Sequence, residues 1–185
     1  MKSFRFIFQY LLNPRKTGAV LPSSTYLAEK MVQSIDFQNA KYIVELGPGT
    51  GVFTDQIMKN KMQHTVVLLI ESNKEFYTLL KEKYKNEKNL ILINDTAEDI
   101  DKYSKEFNIP YVDYVVSGLP FASLPKNVSN AILNKIKKLL RKDGVFITFQ
   151  YTLLKKDFIH HYFKHIYLTR EYRNMPPAFV FCCSN

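Results

Sequence analysis

The chain has 185 residues, 46% hydrophobic and 23% charged, with 26 Lys and Arg against 17 Asp and Glu for a formal charge of +9. At roughly 150 residues per domain this is one globular unit whose core needs no disulfide or structural metal, and global disorder is excluded. The positive excess and an aromatic content of 14% point to an anionic partner, either nucleic acid or a membrane surface.

Phe4, Ile7, Phe8 and Leu11 fall at i, i+3, i+4 and i+7 and make one apolar helical face, with Lys2 and Arg5 beside it and Arg15-Lys16 after it. That pattern suits a helix lying in the membrane interface; the competing reading packs the same face onto the body of the protein. The stretch is too short and too polar for a signal peptide, and no apolar run reaches the roughly 20 residues that span a bilayer. Tyr26 to Ser34 reads as a helix capped by Ser23 or Ser24. From Lys41 onward strands and helices alternate. The strands are Lys41–Leu46, Thr65–Glu71, Leu90–Asn94, Val112–Ser117 and Gly144–Gln150. The helices are Gly51–Lys59, Asn73–Tyr84, Glu98–Phe107 and Val128–Arg141. Runs such as Val66-Val67-Leu68-Leu69-Ile70 mark strands buried on both faces, so the expected fold is a doubly wound α/β sheet. After Gln150 come a short helix, Leu154–His161, and two strands, His165–Arg170 and Ala178–Cys183, whose short connection makes them an antiparallel edge pair. Lys81–Lys88 and the cluster Lys135, Lys137, Lys138, Arg141 and Lys142 read as solvated helix faces. Cys182 and Cys183 are adjacent and have no partners at metal-ligand spacing, so neither a disulfide framework nor a metal site is expected, and a reducing, cytoplasmic setting fits.

The strongest signal is Val44-Glu45-Leu46-Gly47-Pro48-Gly49-Thr50-Gly51, at the end of one strand and the start of a helix. Glycines there let a ligand lie against bare backbone, and the helix that follows offers free N–H groups. With Glu45 two residues before the first glycine, the segment resembles motif I of class I S-adenosylmethionine-dependent methyltransferases. The resemblance implies that Glu45, Gly47, Gly49 and Gly51 approach the methionine part of the cofactor. It places Glu71, with Ser72, at the ribose: this acid ends the second strand about 20 residues after the loop, and a carboxylate accepts two hydrogen bonds from a vicinal diol. Asp95, Thr96 and Ala97 fall near the adenine, and Ser117 at the end of strand 4 is a further cofactor contact. It further implies a Rossmann-like seven-stranded sheet of order 3-2-1-4-5-7-6 with strand 7 antiparallel. Residues 41–185 are then the catalytic domain and residues 1–40 an N-terminal helical extension that caps the substrate or meets the membrane.

Strand 4 runs into Ser117-Gly118-Leu119-Pro120-Phe121. The segment is similar to the Asn-Leu-Pro-Tyr of ribosomal RNA adenine dimethylases, where the Asn reads the exocyclic amine of the base. Ser117-Gly118 stands in place of that Asn, and a hydroxyl and a glycine do not reproduce the reading. Three stretches resemble bacterial phosphatidylethanolamine N-methyltransferases: Arg15-Lys16-Thr17-Gly18-Ala19 with Pro22-Ser23-Ser24, the same Ser-Gly-Leu-Pro, and Asn174-Met175-Pro176-Pro177-Ala178. By this resemblance the acceptor is the amine of a membrane phospholipid. Ser117, the Gly118 and Leu119 carbonyls and Tyr26 orient it, beside Pro120. Phe121 holds the methylated cation by cation–π contact, and Arg15, Lys16 or Arg173 holds the lipid phosphate. His160, His161 and His165 are candidate bases, expected instead at the surface. The expected location is cytoplasmic and peripheral on an anionic membrane. The second reading is an RNA adenine N6-methyltransferase, against which stand the absent Asn and the expected lack of a C-terminal RNA-binding domain. The third is a non-catalytic module that binds the cofactor and a membrane, disfavoured by the intact acids Glu45, Glu71 and Asp95.

Overall fold

The computed structural model describes residues 24–185; the segment Phe4–Leu11 and the candidate phosphate ligands Arg15 and Lys16 lie outside the described residues. The first described helix, α1 (Thr25–Val32), is set by its cap: the Ser24 hydroxyl accepts the Leu27 N–H at 3.1 Å. Then follow β1 (Tyr42–Leu46), α2 (Val52–Asn60), β2 (Val66–Ile70), α3 (Lys74–Lys83), β3 (Leu90–Ile93), a 3-10 turn (Ala97–Asp99) and α4 (Ile100–Glu106). The chain continues through β4 (Val112–Ser117), α5 (Lys126–Leu139), β5 (Leu140–Gln150), α6 (Lys156–His160), β6 (His165–Glu171) and β7 (Ala178–Ser184). Helix α3 starts where the Asn73 side chain accepts the N–H groups of Glu75 and Phe76 at 2.8 and 3.0 Å. Pro125 opens α5 two residues before the apolar pattern does, and the turn Ala97–Asp99 tightens the front of α4.

The seven strands form one sheet of order β3-β2-β1-β4-β5-β7-β6, with β7 antiparallel to both of its neighbours, which is the Rossmann-like order expected. Strand β5 begins earlier than the sequence indicates: Leu140 pairs with Val112, the register shifts, and regular pairing resumes at Val145 opposite Tyr114. Side chains alternate between two cores. Val44, Leu46, Leu68, Ile70 and Val115 face Ile100, Ile132, Ile136 and Phe163, on the side of α4, α5 and α6. Ile43, Val67, Leu69 and Val116 face Leu27, Met31, Phe53 and Ile57, on the side of α1 and α2. Both faces of the central strands are covered, which is why their sequences are continuously apolar. Leu27, Ala28 and Met31 are fully buried, each large side chain contributing roughly 1.5–3 kcal/mol. Helix α1 thus packs through Leu27, Ala28 and Met31 into the core on this face of the sheet.

Candidate active site

Open α/β sheets bind ligands beyond the carboxyl ends of their strands, at the point where strand order reverses. Here that point lies between β1 and β4. The loop leaving β1 holds Gly47, Gly49 and Gly51 at φ +69, +59 and +85, in the left-handed region that side chains disfavour. A Cβ built on Gly49 meets nothing within 4 Å, so bare backbone borders open space at the centre of the loop.

Two acids frame this space. Glu71, just beyond β2 and 1% exposed, accepts the Gly49 N–H at 2.9 Å on one oxygen and the Asn73 N–H at 2.8 Å on the other. Burial raises its pKa from the ordinary value, and the backbone N–H groups of Asn73, Gly49 and Ser72 oppose that shift. Glu45 is fully buried; its Oε2 accepts the Thr54 hydroxyl at 2.7 Å, and its Oε1 has no hydrogen-bond partner. Loss of hydration pushes its pKa up to about 8, against the opposing hydrogen bond from Thr54. A buried carboxylate with an unsatisfied oxygen is costly unless it is neutral or a cation arrives beside it. On the β3 side, Asp95 accepts the Thr96 N–H at 2.8 Å on one oxygen and a short hydrogen bond from the Tyr103 hydroxyl on the other. These bonds, the Tyr103 one first, hold its carboxyl below the usual range. Both Asp95 oxygens are thus engaged within the chain. Thr96 caps the following turn through its hydroxyl, Ala97 is buried and Ser72 is exposed.

Beyond β4 the chain presses against the glycine loop. The Gly118 N–H donates to the Leu46 carbonyl at 2.9 Å, and a Cβ on Gly118 would stand 2.6 Å from the Gly47 carbonyl oxygen. No side chain fits there without moving one of the two loops. The buried Ser117 hydroxyl accepts the Leu119 N–H at 3.2 Å, and its carbonyl accepts the Thr148 hydroxyl at 3.2 Å. Gln150, at the end of β5 and nearly buried, accepts the Ala122 N–H at 3.2 Å and donates to the Leu119 carbonyl at 3.4 Å. Gln150 therefore fixes both sides of the Leu119–Ala122 turn, a role that one glutamine ending an apolar strand does not announce in sequence. Phe121 has no exposed surface and stands edge-on to Phe146 at 6.0 Å in the core. The expectation that it cradles a methylated cation is corrected: its ring is turned inward and packs the sheet.

Tyr26 and Arg173, far apart in sequence, come together, the guanidinium lying 4.2 Å from the ring centroid. Buried Glu171 holds Arg173 by two bonds, from Nε at 2.9 Å and Nη2 at 3.1 Å. Arg173, through these bonds, holds the Glu171 carboxyl down to about 2. Asn174 ties the same corner to α1 by accepting the Ser24 N–H at 2.9 Å. His160, His161 and His165 are exposed, and His165 starts β6 at the opposite edge of the sheet. Among the described residues there is no cluster of three or more His, Cys, Asp or Glu that could hold a metal ion.

The profile of the ribosomal RNA adenine dimethylase family matches residues 17–164. The chain belongs to that family. It is accordingly an S-adenosylmethionine-dependent methyltransferase of the class I fold, as the sheet order and motif I require. A curated relative is the ornithine lipid N-methyltransferase of Singulisphaera acidiphila, 30% identical over 182 residues that cover 97% of this chain and 94% of that enzyme. The ribosomal RNA small subunit methyltransferase A of Persephonella marina is also 30% identical, but over 104 residues that cover 52% of this chain and 38% of that enzyme. Among solved structures, the precorrin-6y C5,15-methyltransferase of Geobacter metallireducens superimposes with a TM-score of 0.65 at 13% identity, covering 85% and 86% of the two chains, a likeness of fold alone. The residues at the β1–β2 edge of this family member fit the cofactor chemically. Glu71 offers lone pairs to a diol, Gly49 a bare surface, and the unpartnered Glu45 Oε1 a place beside a cation.

Proposed function

We propose that this dimethylase-family member methylates the primary amine of a membrane lipid, phosphatidylethanolamine or another aminolipid, rather than an RNA base. The observation that carries the reading is the contact between Gly118 and Gly47. A Cβ there would meet the Gly47 carbonyl at 2.6 Å, so the position has no room for the amide that reads an adenine amine. An aliphatic amine needs less: acceptors for its N–H groups and freedom from water. The relative whose name records lipid N-methylation matches nearly the whole chain, which supports the same reading.

In this scheme Glu71 and Ser72 hold the cofactor ribose, Glu45 with Gly47, Gly49 and Gly51 holds the methionine part, and Asp95, Thr96 and Ala97 lie along the adenine. The bound cofactor supplies an electrophilic methyl group on a sulfonium. The acceptor amine must first lose its proton to attack, and a dry pocket favours the neutral form. The Gly118 and Leu119 carbonyls accept the amine N–H groups and aim the nitrogen lone pair, while Ser117 and Gln150 keep that turn rigid. Pro120 limits its backbone. Tyr26 and Arg173 hold the anionic part of the head group, Glu171 having fixed the guanidinium in place; Arg15 and Lys16 are proposed to assist. The enzyme works peripherally on an anionic membrane from the cytoplasmic side.

The test is incubation of the whole chain with methyl-labelled cofactor and, separately, phosphatidylethanolamine vesicles, ornithine lipid vesicles or unmodified ribosomal RNA. Label in a lipid supports the reading and identifies the acceptor. Label in RNA alone overturns it.

A further inference from the structure

Strands β5 and β6 are both antiparallel to β7, so both end at the edge of the sheet that carries the glycine loop. The turns beyond them display side chains that a water-facing surface does not need. Leu154 is 84% exposed, Met175 73%, Tyr172 69%, Tyr26 45% and Leu153 44%. The turns are joined rather than scattered. The Tyr151 phenol meets the Asn174 amide, Asn174 holds the Ser24 N–H, and Arg173 stacks on Tyr26. Lys155 and Lys156 follow the two leucines, and Arg170 lies over the rings of Tyr172 and Phe179 at 4.8 and 4.9 Å. Of the acids at this corner, Glu171 is buried and already paired with Arg173, while Glu29 on α1 and Asp157 on α6 are exposed beside the basic residues.

We infer that this rim, the turns of residues 151–156 and 172–176, is the surface by which the protein seats on an anionic lipid bilayer, with Leu153, Leu154 and Met175 entering the acyl boundary. Basic residues behind exposed aliphatic tips and tyrosines are the composition of an interfacial anchor. A nucleic-acid surface would present charge and stacking rings, not leucine and methionine at its tips. The inference rests on the lipid reading for its purpose: a rim at the acceptor end brings the head group to the turn 118–122 without lifting the lipid out of the membrane. It uses residues distinct from the basic-aromatic segment Phe4–Leu11.

The experiment compares the full chain with its Leu153→Ser/Leu154→Ser variant in co-sedimentation with vesicles of phosphatidylcholine and phosphatidylglycerol. Leu79→Ser, an exposed leucine on α3, is the control. Both variants should keep wild-type melting temperatures and cofactor affinity. The rim variant should bind at least about tenfold more weakly, which corresponds to about 1.4 kcal/mol, and the control should match wild type. On a short-chain aminolipid below its critical micelle concentration, the rim variant should turn over at the wild-type rate while losing activity on vesicles. Equal vesicle binding by rim variant and wild type overturns the inference, as does equal loss by rim variant and control. So does a rim variant that loses retention on RNA and keeps it on vesicles. If no aminolipid is methylated yet the rim variant alone loses vesicle binding, the docking surface stands and the substrate reading falls.

Discussion

Replacing Glu45 with Gln keeps the shape of the side chain and its contact with Thr54 while removing the ability to ionise. The folded protein holds Glu45 at about 8 against an ordinary value of 4.5. A raised folded-state pKa means that stability is retained below pH 4.5 and lost as pH rises toward 8, because the unfolded chain releases the proton first. At pH 7 the unfolded chain has gained about 2.5 pH units of this advantage, and at about 1.36 kcal/mol per unit the wild type is destabilised by about 3 kcal/mol. Glu45→Gln should therefore be as stable as wild type at pH 4.5 and about 3 kcal/mol more stable at pH 7, measured by urea denaturation without cofactor. The same carboxyl should give up its proton when the cationic cofactor binds. Calorimetry at pH 7 in buffers of different ionisation enthalpy should show release of about 0.9 proton for a group at about 8, and none in the variant. Stability curves for the two proteins that run parallel from pH 4.5 to 8 would refute the reasoning, since Glu45 would then ionise as freely folded as unfolded.

Glu71→Ala removes the acceptor of the Gly49 and Asn73 N–H groups together with the proposed ribose partner, and should weaken cofactor binding about tenfold or more, read by equilibrium dialysis. Because burial raises its pKa and the diol needs the carboxylate, wild-type affinity should fall as pH drops through that raised range, and Glu71→Gln should flatten the dependence. Gly118→Ala forces a methyl group against the Gly47 carbonyl and should destabilise the fold by roughly 1–3 kcal/mol, with a parallel loss of cofactor affinity in binding assays. Gln150→Leu releases the Leu119 carbonyl and the Ala122 N–H. Its kcat on the aminolipid should fall about tenfold while the cofactor Kd stays within about twofold, a split that separates positioning of the acceptor from general damage.

What could be read from sequence followed from periodicity and from turn chemistry. The strands announced themselves because Val67, Leu69 and Val116 are buried on one face and Leu68, Ile70 and Val115 on the other, which leaves no polar gap. The glycine loop was legible as a turn because it stands between a strand end and a helix start, whereas Glu45 and Glu71 stood out only through the resemblance to motif I. Phe121 was misplaced because an aromatic next to an active-site proline looks the same whether its ring turns inward or outward; the Phe146 and Phe163 rings decide the matter, and they lie 25 and 42 positions away. Gln150 stayed hidden because its partners, Leu119 and Ala122, are distant in sequence, and Glu171 because its pairing with Arg173 depends on how the turn between them folds. Asn174 stood out only within its Asn-Met-Pro-Pro-Ala stretch, without its tie to Ser24. The early start of β5 was concealed because Leu140 and Arg141 continue the helical pattern of α5 and read as part of that helix, although they already belong to the strand.

The contact between Gly47 and Gly118 has a consequence for altering what this enzyme methylates. In the proposed scheme the donor and acceptor pockets share one partition, the Gly47–Gly118 contact, backed by the Leu119 and Phe53 side chains. Any side chain added at position 118 has to displace the Gly47 carbonyl, which forms the donor side in that scheme. On that scheme, retargeting is expected to succeed through the outer rim, at Tyr26, Arg173 and the turn after β5, rather than at position 118 alone.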